Sequence, residues 1–352
     1  MFMLIKKIYK QLVDGEVMPI PQGRLRILFS VRTIFNLEEA HKLFLESPEN
    51  PTKYIEYMRD TEKDPLEAGP LMRLYQACER INHMEDKLGY LPFNMGMCSK
   101  DDFDTQRRIF NSIGNHDIHD ARFLAQPHAG AGYSRDWIRH YFNNQAQPSI
   151  FFTCNDQDAQ MAVDDGLAAS RIIIPEDASY APLKKSEDFS WWFDLDAVAW
   201  GSSAELIYKK KGLNAFFDAE WKNRDKIIEP GPFTSPLTAM AQINRDLENL
   251  GIESPLKLHF CTARGGRAMM RASNSMQHYG HHYDHGHFMA GESKSDLFDL
   301  IRAEGQADLF MDDQIAHMEP LLVDGHTACG HVPYAKDSAM GRYLKKQPAA
   351  PK

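Results

Sequence analysis

Phe189-Ser190-Trp191-Trp192-Phe193-Asp194-Leu195-Asp196-Ala197-Val198 is the stretch on which the fold turns. An apolar strand from Phe189 to Phe193 ends in two aspartates, which places them at the carboxyl edge of a parallel sheet, where ligands bind in such folds. Period-two alternation puts Asp194 and Asp196 on one side and turns Leu195 away. The Trp191–Trp192 pair lies on a buried strand and reads as core rather than as a platform for a planar ligand.

Outward from this strand, the chain repeats itself. Glu67-Ala68-Gly69-Pro70 falls on Glu229-Pro230-Gly231-Pro232 at an offset of 162, and Ala77, Ile81 and Asn82 fall on Ala239, Ile243 and Asn244 at the same offset. Nearby offsets lay Phe29-Ser30-Val31-Arg32 over Phe193-Asp194-Leu195-Asp196, and Phe93–Ser99 over the strand that ends Phe260-Cys261-Thr262. Phe123-Leu124-Ala125 likewise meets Phe288-Met289-Ala290, and Asn155-Asp156-Gln157 meets Asp312-Asp313-Gln314. In the first unit the rhythm is strand 25–30, helix 36–47, strand 92–97, helix 102–112, strand 120–125 and strand 149–154. That alternation predicts α/β architecture, a parallel Rossmannoid sheet with helices on both faces. The long segments at 36–90 and 200–255 predict a small helical cap over the strand ends. The expected division is a degenerate lobe at 1–185, a catalytic domain at 186–345 with its cap at about 200–255, and a loose tail at 346–352.

A carboxylate at position 194 can attack phosphorus, while Asp196 protonates the leaving oxygen and later activates water. Alone, an Asp-x-Asp pair reads as well as two solvated aspartates. A second apolar strand, Leu309-Phe310-Met311, however, delivers Asp312-Asp313 at its end. Such oxygen ligands suit Mg²⁺, with Asp194, Asp196, Asp312 and Asp313 as the candidate set. Of Asp312 and Asp313, one is expected on the metal and the other on a water or a lysine. Between these strands, Thr262 with the backbone of Ala263 and Arg264 can grip phosphate oxygens at a helix start. Arg264 can reach phosphate or nucleotide, and Lys294 can balance Asp194 and a bound phosphate.

The bulk composition narrows the partners. The chain has 352 residues, 43% hydrophobic and 25% charged, which suits a large globular core. A net charge of -9 excludes a surface built to collect nucleic-acid backbone. Five scattered cysteines without a Cys-x-x-Cys pair read as reduced thiols and a cytoplasmic setting. Met1–Gly15 has too short an apolar run for a signal peptide, and no stretch has the length to cross a membrane. Lys209-Lys210-Lys211 reads as a solvated helix face. The histidines of 277–288, His278, His281, His282, His285 and His287, read as surface residues rather than a zinc site. Gly130 and Gly132 lack the Gly-Lys-Ser that a phosphate loop needs and read as a surface turn.

In the order Asp-x-Asp, Thr, Lys, Asp-Asp, the four stations resemble the haloacid dehalogenase (HAD) superfamily of phosphohydrolases. More closely, the chain is similar to the cytosolic type I 5′-nucleotidase family. The resemblance is carried by FDLDAV (193–198), KKGLNAFF (210–217), CTAR (261–264), FMAG (288–291) with its following lysine, DDQ (312–314) and HVPY (331–334). FSVRTIFNLEE (29–39) and FNSIGNHDI (110–118) extend it to the first half. It implies Mg²⁺-dependent hydrolysis of AMP, IMP or deoxynucleoside monophosphates. The rivals are a HAD phosphatase of another small phosphomonoester and a non-catalytic nucleotide-binding protein; a homo-oligomer is compatible with either. Leu195 stands where the family has glycine, and Gly201-Ser202-Ser203 replaces an acidic run, which bears on base preference and cap contacts.

If the halves are copies, Ser30 and Arg32 stand where Asp194 and Asp196 stand, so the first half lacks nucleophile and acid. Packing support is the plainer use for it. A regulatory nucleotide held by Ser99, Lys100 and Arg32 is the alternative.

Overall fold

A computed structural model describes residues 24–101, 104–119, 122–125, 147–175, 188–303, 307–324 and 326–347. The expectations for Met1–Gly15, for Gly130 and Gly132, and for most of the 346–352 tail lie outside the described residues. Ten strands form one sheet: β1 (Leu25–Ser30), β2 (Phe93–Ser99), β3 (Arg122–Ala125), β4 (Ser149–Thr153), β5 (Ala168–Ile173), β6 (Phe189–Phe193), β7 (Leu256–Thr262), β8 (His285–Phe288), β9 (Leu309–Asp312) and β10 (Ala328–His331). Their order is β3-β2-β1-β4-β5-β10-β9-β6-β7-β8, and every neighbouring pair is parallel except β5 with β10. This is the α/β sheet that the alternation predicts, parallel as expected except at the β5–β10 seam. Read from either outer edge inward, each half gives its third, second, first, fourth and fifth strand.

The central strands are buried on both faces, and their alternation sorts side chains into separate cores. Phe189, Trp191 and Phe193 share one face with Leu237, Met240 and Ile243. Trp192 joins Phe298, Phe310 and Leu321 on the other. Both tryptophans are therefore core, as their strand position predicts. The helices that matter below are α1 (Met72–Asn82), α2 (Asp156–Asp164), α3 (Ser203–Lys222), α4 (Thr234–Asn249), α5 (Met269–Tyr279), α6 (Ser295–Ala303) and α7 (Ile315–Asp324). α1 and α4 pack into the sheet core through Leu74, Ile81, Leu237 and Ile243, so the second part of each long insertion is a sheet helix rather than cap. Within 200–255, it is α3 that reaches the cavity at the strand ends.

The repeated sequence motifs make repeated contacts. Ala68 and Pro230 form backbone bridges with Phe35 and Trp200, the loops that follow β1 and β6. Glycine is needed there because a Cβ at position 69 would stand 2.8 Å from backbone of Ile34 and Phe35, and one at 231 would stand 2.0 Å from the Trp200 carbonyl oxygen. Asn82 and Asn244 donate to the carbonyls of Phe93 and Leu256, tethering the second strand of each half. Ser112 and Ser275 accept from the backbone N–H of Leu66 and Ile228, and both hydroxyls donate back one helical turn.

The five cysteines are thiols, not joined in disulfides. Among the described residues no helix is long and apolar enough to cross a membrane. His278, His282 and His285 are exposed, whereas His281 is buried and donates from Nε2 to the Thr234 carbonyl at 3.0 Å.

Candidate active site

Register explains why residues 118 apart in sequence meet. Phe193 of β6 pairs with Met311 of β9, so the next residues, Asp194 and Asp312, emerge side by side. The Asp194 N–H still donates to the Met311 carbonyl at 2.8 Å, and there the chain leaves the sheet. Residues 195–199 form a tight π-type turn with Ala197 at φ 60°, closed by the Trp200 N–H on the Leu195 carbonyl. The strand thus ends before the two aspartates. Leu195 nonetheless turns into the core while Asp194 and Asp196 both line one cavity of about 260 Å³.

Lys294 Nζ lies 3.0 Å from Asp194 Oδ1 and 2.6 Å from Asp312 Oδ2. Asp312 also accepts from the Gln314 N–H at 2.8 Å and meets His317 Nδ1 at 3.0 Å. Asp313 accepts from the Tyr334 hydroxyl. Ligand oxygens of Asp194, Asp312 and Asp313 lie within 4.8 Å of one another, and all three residues are buried. The lysine partner thus falls to Asp312, which leaves Asp313 with a neutral phenol.

Three buried carboxylates face one ammonium, and the electrostatics follow. Burial raises the Asp194 carboxyl, and Asp312 and Asp196 raise it further against the pull of Lys294. Asp313 is pushed well up by burial and then by Asp312 and Asp194. Asp312 is the exception: Lys294 and His317 outweigh its burial and hold it below the ordinary carboxylate range. Lys294 itself is raised, because Asp194 and Asp312 outweigh its desolvation. Asp194 Oδ1 is buried without a hydrogen bond of good geometry among the described residues. A site with uncompensated negative charge and only hard oxygen donors is fit for a hard divalent cation.

The Asp196 carboxylate is not one of the three gathered side chains, although it lines the same cavity. The turn after Asp194 carries it away, and both its oxygens accept from Arg264, at 2.8 Å from Nε and 2.7 Å from Nη2. Arg264, expected on phosphate or nucleotide, is fully buried and also donates to Glu220. Thr262 is fully buried, its Oγ1 3.3 Å from the Arg264 N–H, while Ala263 and Arg264 reach the cavity. Glu205, Gln314 and His317 complete its polar side; Tyr208, Leu213 and Phe216 of α3 form an apolar wall. Spacing and residue type in the sequence single out none of these six, although Leu213, Phe216 and Gln314 fall within segments that carry the resemblance. A wider hollow of about 490 Å³ at the β5–β10 seam contains none of these groups, and its Arg171 pairs with Asp156 at 2.8 Å.

A mostly parallel sheet that delivers Asp-x-Asp, Thr, Lys and Asp-Asp from successive strand ends defines the HAD class of α/β proteins. Within that class the chain belongs to the 5′-nucleotidase family, whose model matches residues 18–339. It is also similar to cytosolic 5′-nucleotidase 1B from Homo sapiens, with 23% identity over 312 residues. That alignment covers 86% of this chain and 48% of the human protein, so the chain spans about half the length of that curated relative.

Proposed function

We propose that this chain hydrolyses nucleoside 5′-monophosphates to nucleoside and phosphate, with Asp194 as nucleophile. The observation that carries the reading is a buried carboxylate at a strand end, 3.0 Å from a buried lysine, opening onto a cavity that is polar on one side and apolar on the other. Asp194 attacks phosphorus as the bond to the 5′ oxygen breaks, and Asp196 supplies the proton that the leaving alkoxide takes. In the second step Asp196 takes a proton from water, the water oxygen attacks phosphorus, and the bond to Asp194 breaks. Lys294 and the backbone at Thr262 and Ala263 hold the phosphoryl oxygens. Asp194, Asp312 and Asp313 would hold Mg²⁺, with Asp313 the ligand least committed elsewhere; when bound, the ion neutralises charge on the phosphoryl group. Tyr208, Leu213 and Phe216 favour a substrate with a flat apolar part over a plain sugar phosphate.

The first half, in this proposal, is a degenerate copy retained as structural support. Ser30 and Arg32 replace the catalytic aspartates, and Arg32 is clamped by Glu38 at 2.7 Å through two bonds. Lys100 pairs with Asp158 at 2.9 Å, and the Ser99 hydroxyl donates to Asp101. The cations that would hold a regulatory nucleotide thus already face carboxylates of the chain. Phosphate release measured across nucleoside monophosphates and sugar phosphates, with and without Mg²⁺, tests the function. Faster turnover of a sugar phosphate than of every nucleotide would overturn the substrate, and no release from any ester would overturn the chemistry.

A further inference from the structure

Behind the cavity, four charged side chains form a chain of ion pairs. Arg264 spends Nε and Nη2 on Asp196 and donates from Nη1 to Glu220 Oε2. The other oxygen of Glu220 accepts from Arg271 Nη1 at 2.6 Å, and Arg271 Nε is anchored on the Lys226 carbonyl at 2.9 Å. Arg264 and Glu220 are fully buried, and the guanidinium lies 5.4 Å from the ring centres of both Trp200 and Phe216. With Asp196 ionised, as it is after the first step, two negative and two positive charges balance, which is the condition under which such a group survives burial.

The chain joins four separate elements. Asp196 sits on the turn after β6, Arg264 follows β7, Glu220 lies near the end of α3, and Arg271 lies in α5. Among the described residues, Arg264 is the sole side-chain donor to Asp196, so the plane of that carboxylate is set by the guanidinium. Each Asp196 oxygen keeps a second lone pair for the cavity. Glu220 and Arg271 do not line the cavity and cannot touch a substrate there.

We propose that Glu220, neutralised by Arg271, is a positioning residue: it locks Arg264, and through it the Asp196 carboxylate, so that α3 sets the place of the acid–base group. This rests on Asp196 having the role proposed above. A displaced acid harms only a leaving group that needs a proton. The 5′ alkoxide of AMP needs one, whereas p-nitrophenolate is a stable anion and departs without it.

The experiment compares wild type, Glu220→Gln, the charge-balanced Glu220→Gln/Arg271→Gln and the conservative Glu220→Asp as full chains with Mg²⁺. On AMP, kcat of Glu220→Gln should fall about 10- to 100-fold, the scale of a misplacement near 1 Å, with KM within about twofold. The first-turnover burst of p-nitrophenolate from p-nitrophenyl phosphate should keep its wild-type rate, and Glu220→Asp should recover part of the AMP loss. Crystals of Glu220→Gln should show the Asp196 carboxylate turned from its present plane. Equal losses of the AMP kcat and of the p-nitrophenolate burst rate by variants that melt like wild type, or an unmoved Asp196, would overturn the proposal. Should Glu220→Gln unfold, the charge-balanced variant carries the same comparison. A wild type active only on other alkyl phosphates would overturn the nucleotide reading alone, and the leaving-group comparison then runs on that alkyl ester.

Discussion

Gly231→Ala places a methyl where the backbone has no room. The new Cβ would stand 2.0 Å from the Trp200 carbonyl oxygen and 2.3 Å from its carbon, whereas ordinary contact begins at 3.4 Å. Both partners are backbone, so the two loops must part by about 1.4 Å. Four bonds among the described residues hold them together: Gly201 N–H to the Glu229 carbonyl at 2.8 Å, Ser203 N–H to Glu229 Oε1 at 2.9 Å, Phe233 N–H to the Val198 carbonyl at 3.1 Å, and the Thr234 hydroxyl to the Ala199 carbonyl at 2.5 Å. Opening this seam costs roughly 3 kcal/mol, the upper end for overpacking, and drags the turn that carries Asp194 and Asp196. A shift on that scale lowers kcat about 100-fold. Gly69→Ala is the internal control, since its Cβ would meet backbone at 2.8 Å and needs a smaller opening, worth about 1–2 kcal/mol. It lies in the half without a nucleophile, so kcat should hold. Urea melts paired with phosphate release, at a temperature where both variants are folded, check this. Equal loss of kcat in the two variants, or full activity in Gly231→Ala, would refute the reasoning.

Lys294→Met leaves Asp194, Asp312 and Asp313 facing one another without their ammonium. Turnover should fall about 10²- to 10³-fold, and the metal-free protein should lose roughly 3–5 kcal/mol in denaturant melts. That loss should be larger at pH 8 than at pH 5, where protonation relieves the repulsion; a pH-independent loss would contradict it. Mg²⁺ at about 100 times its Kd should stabilise the wild type by about 2.7 kcal/mol, and Asp313→Asn should lose most of that gain in a thermal-shift titration. His259 and His281 are held neutral by burial, each pushed down to about 4. The unfolded chain therefore binds protons first as pH falls from about 6.5 to 4, and roughly 3 kcal/mol of stability per histidine is present above that window and lost across it. His281→Gln should flatten part of the decline in pH-dependent melts.

The strand ends are legible in the sequence because β1, β6 and β9 each close on three apolar residues, Ile27-Leu28-Phe29, Trp191-Trp192-Phe193 and Leu309-Phe310-Met311, followed at once by a polar one. The Glu-x-Gly-Pro repeat was legible as identity, and its cause is the missing room for a Cβ at Gly69 and Gly231. β5 and β10 are harder to read: β5 opens on Ala168-Ala169-Ser170-Arg171 and has only Ile172 and Ile173 as large apolar residues, and Ala328-Cys329-Gly330-His331 is small and mixed, yet the two make the antiparallel seam. The length of 200–255, more than a simple crossover needs, points to cap throughout, whereas the face of α4 with Leu237, Met240 and Ile243 commits that helix to the sheet. At the site, the candidates that follow strands were found and their partners were not. Arg264 meets Asp196 across 68 residues and Glu220 across 44, a pairing that spacing cannot reveal. The same pairing turns an expected phosphate ligand into a holder of the acid–base group.

The central claim is that all hydrolysis passes through Asp194 in the second half. Phosphate release from AMP with Mg²⁺, measured side by side for wild type, Asp194→Asn and Ser30→Ala, tests it most directly. Asp194→Asn should show no turnover above background, and Ser30→Ala should turn over like wild type. Retained turnover in a folded Asp194→Asn protein, or its loss in Ser30→Ala, would contradict it.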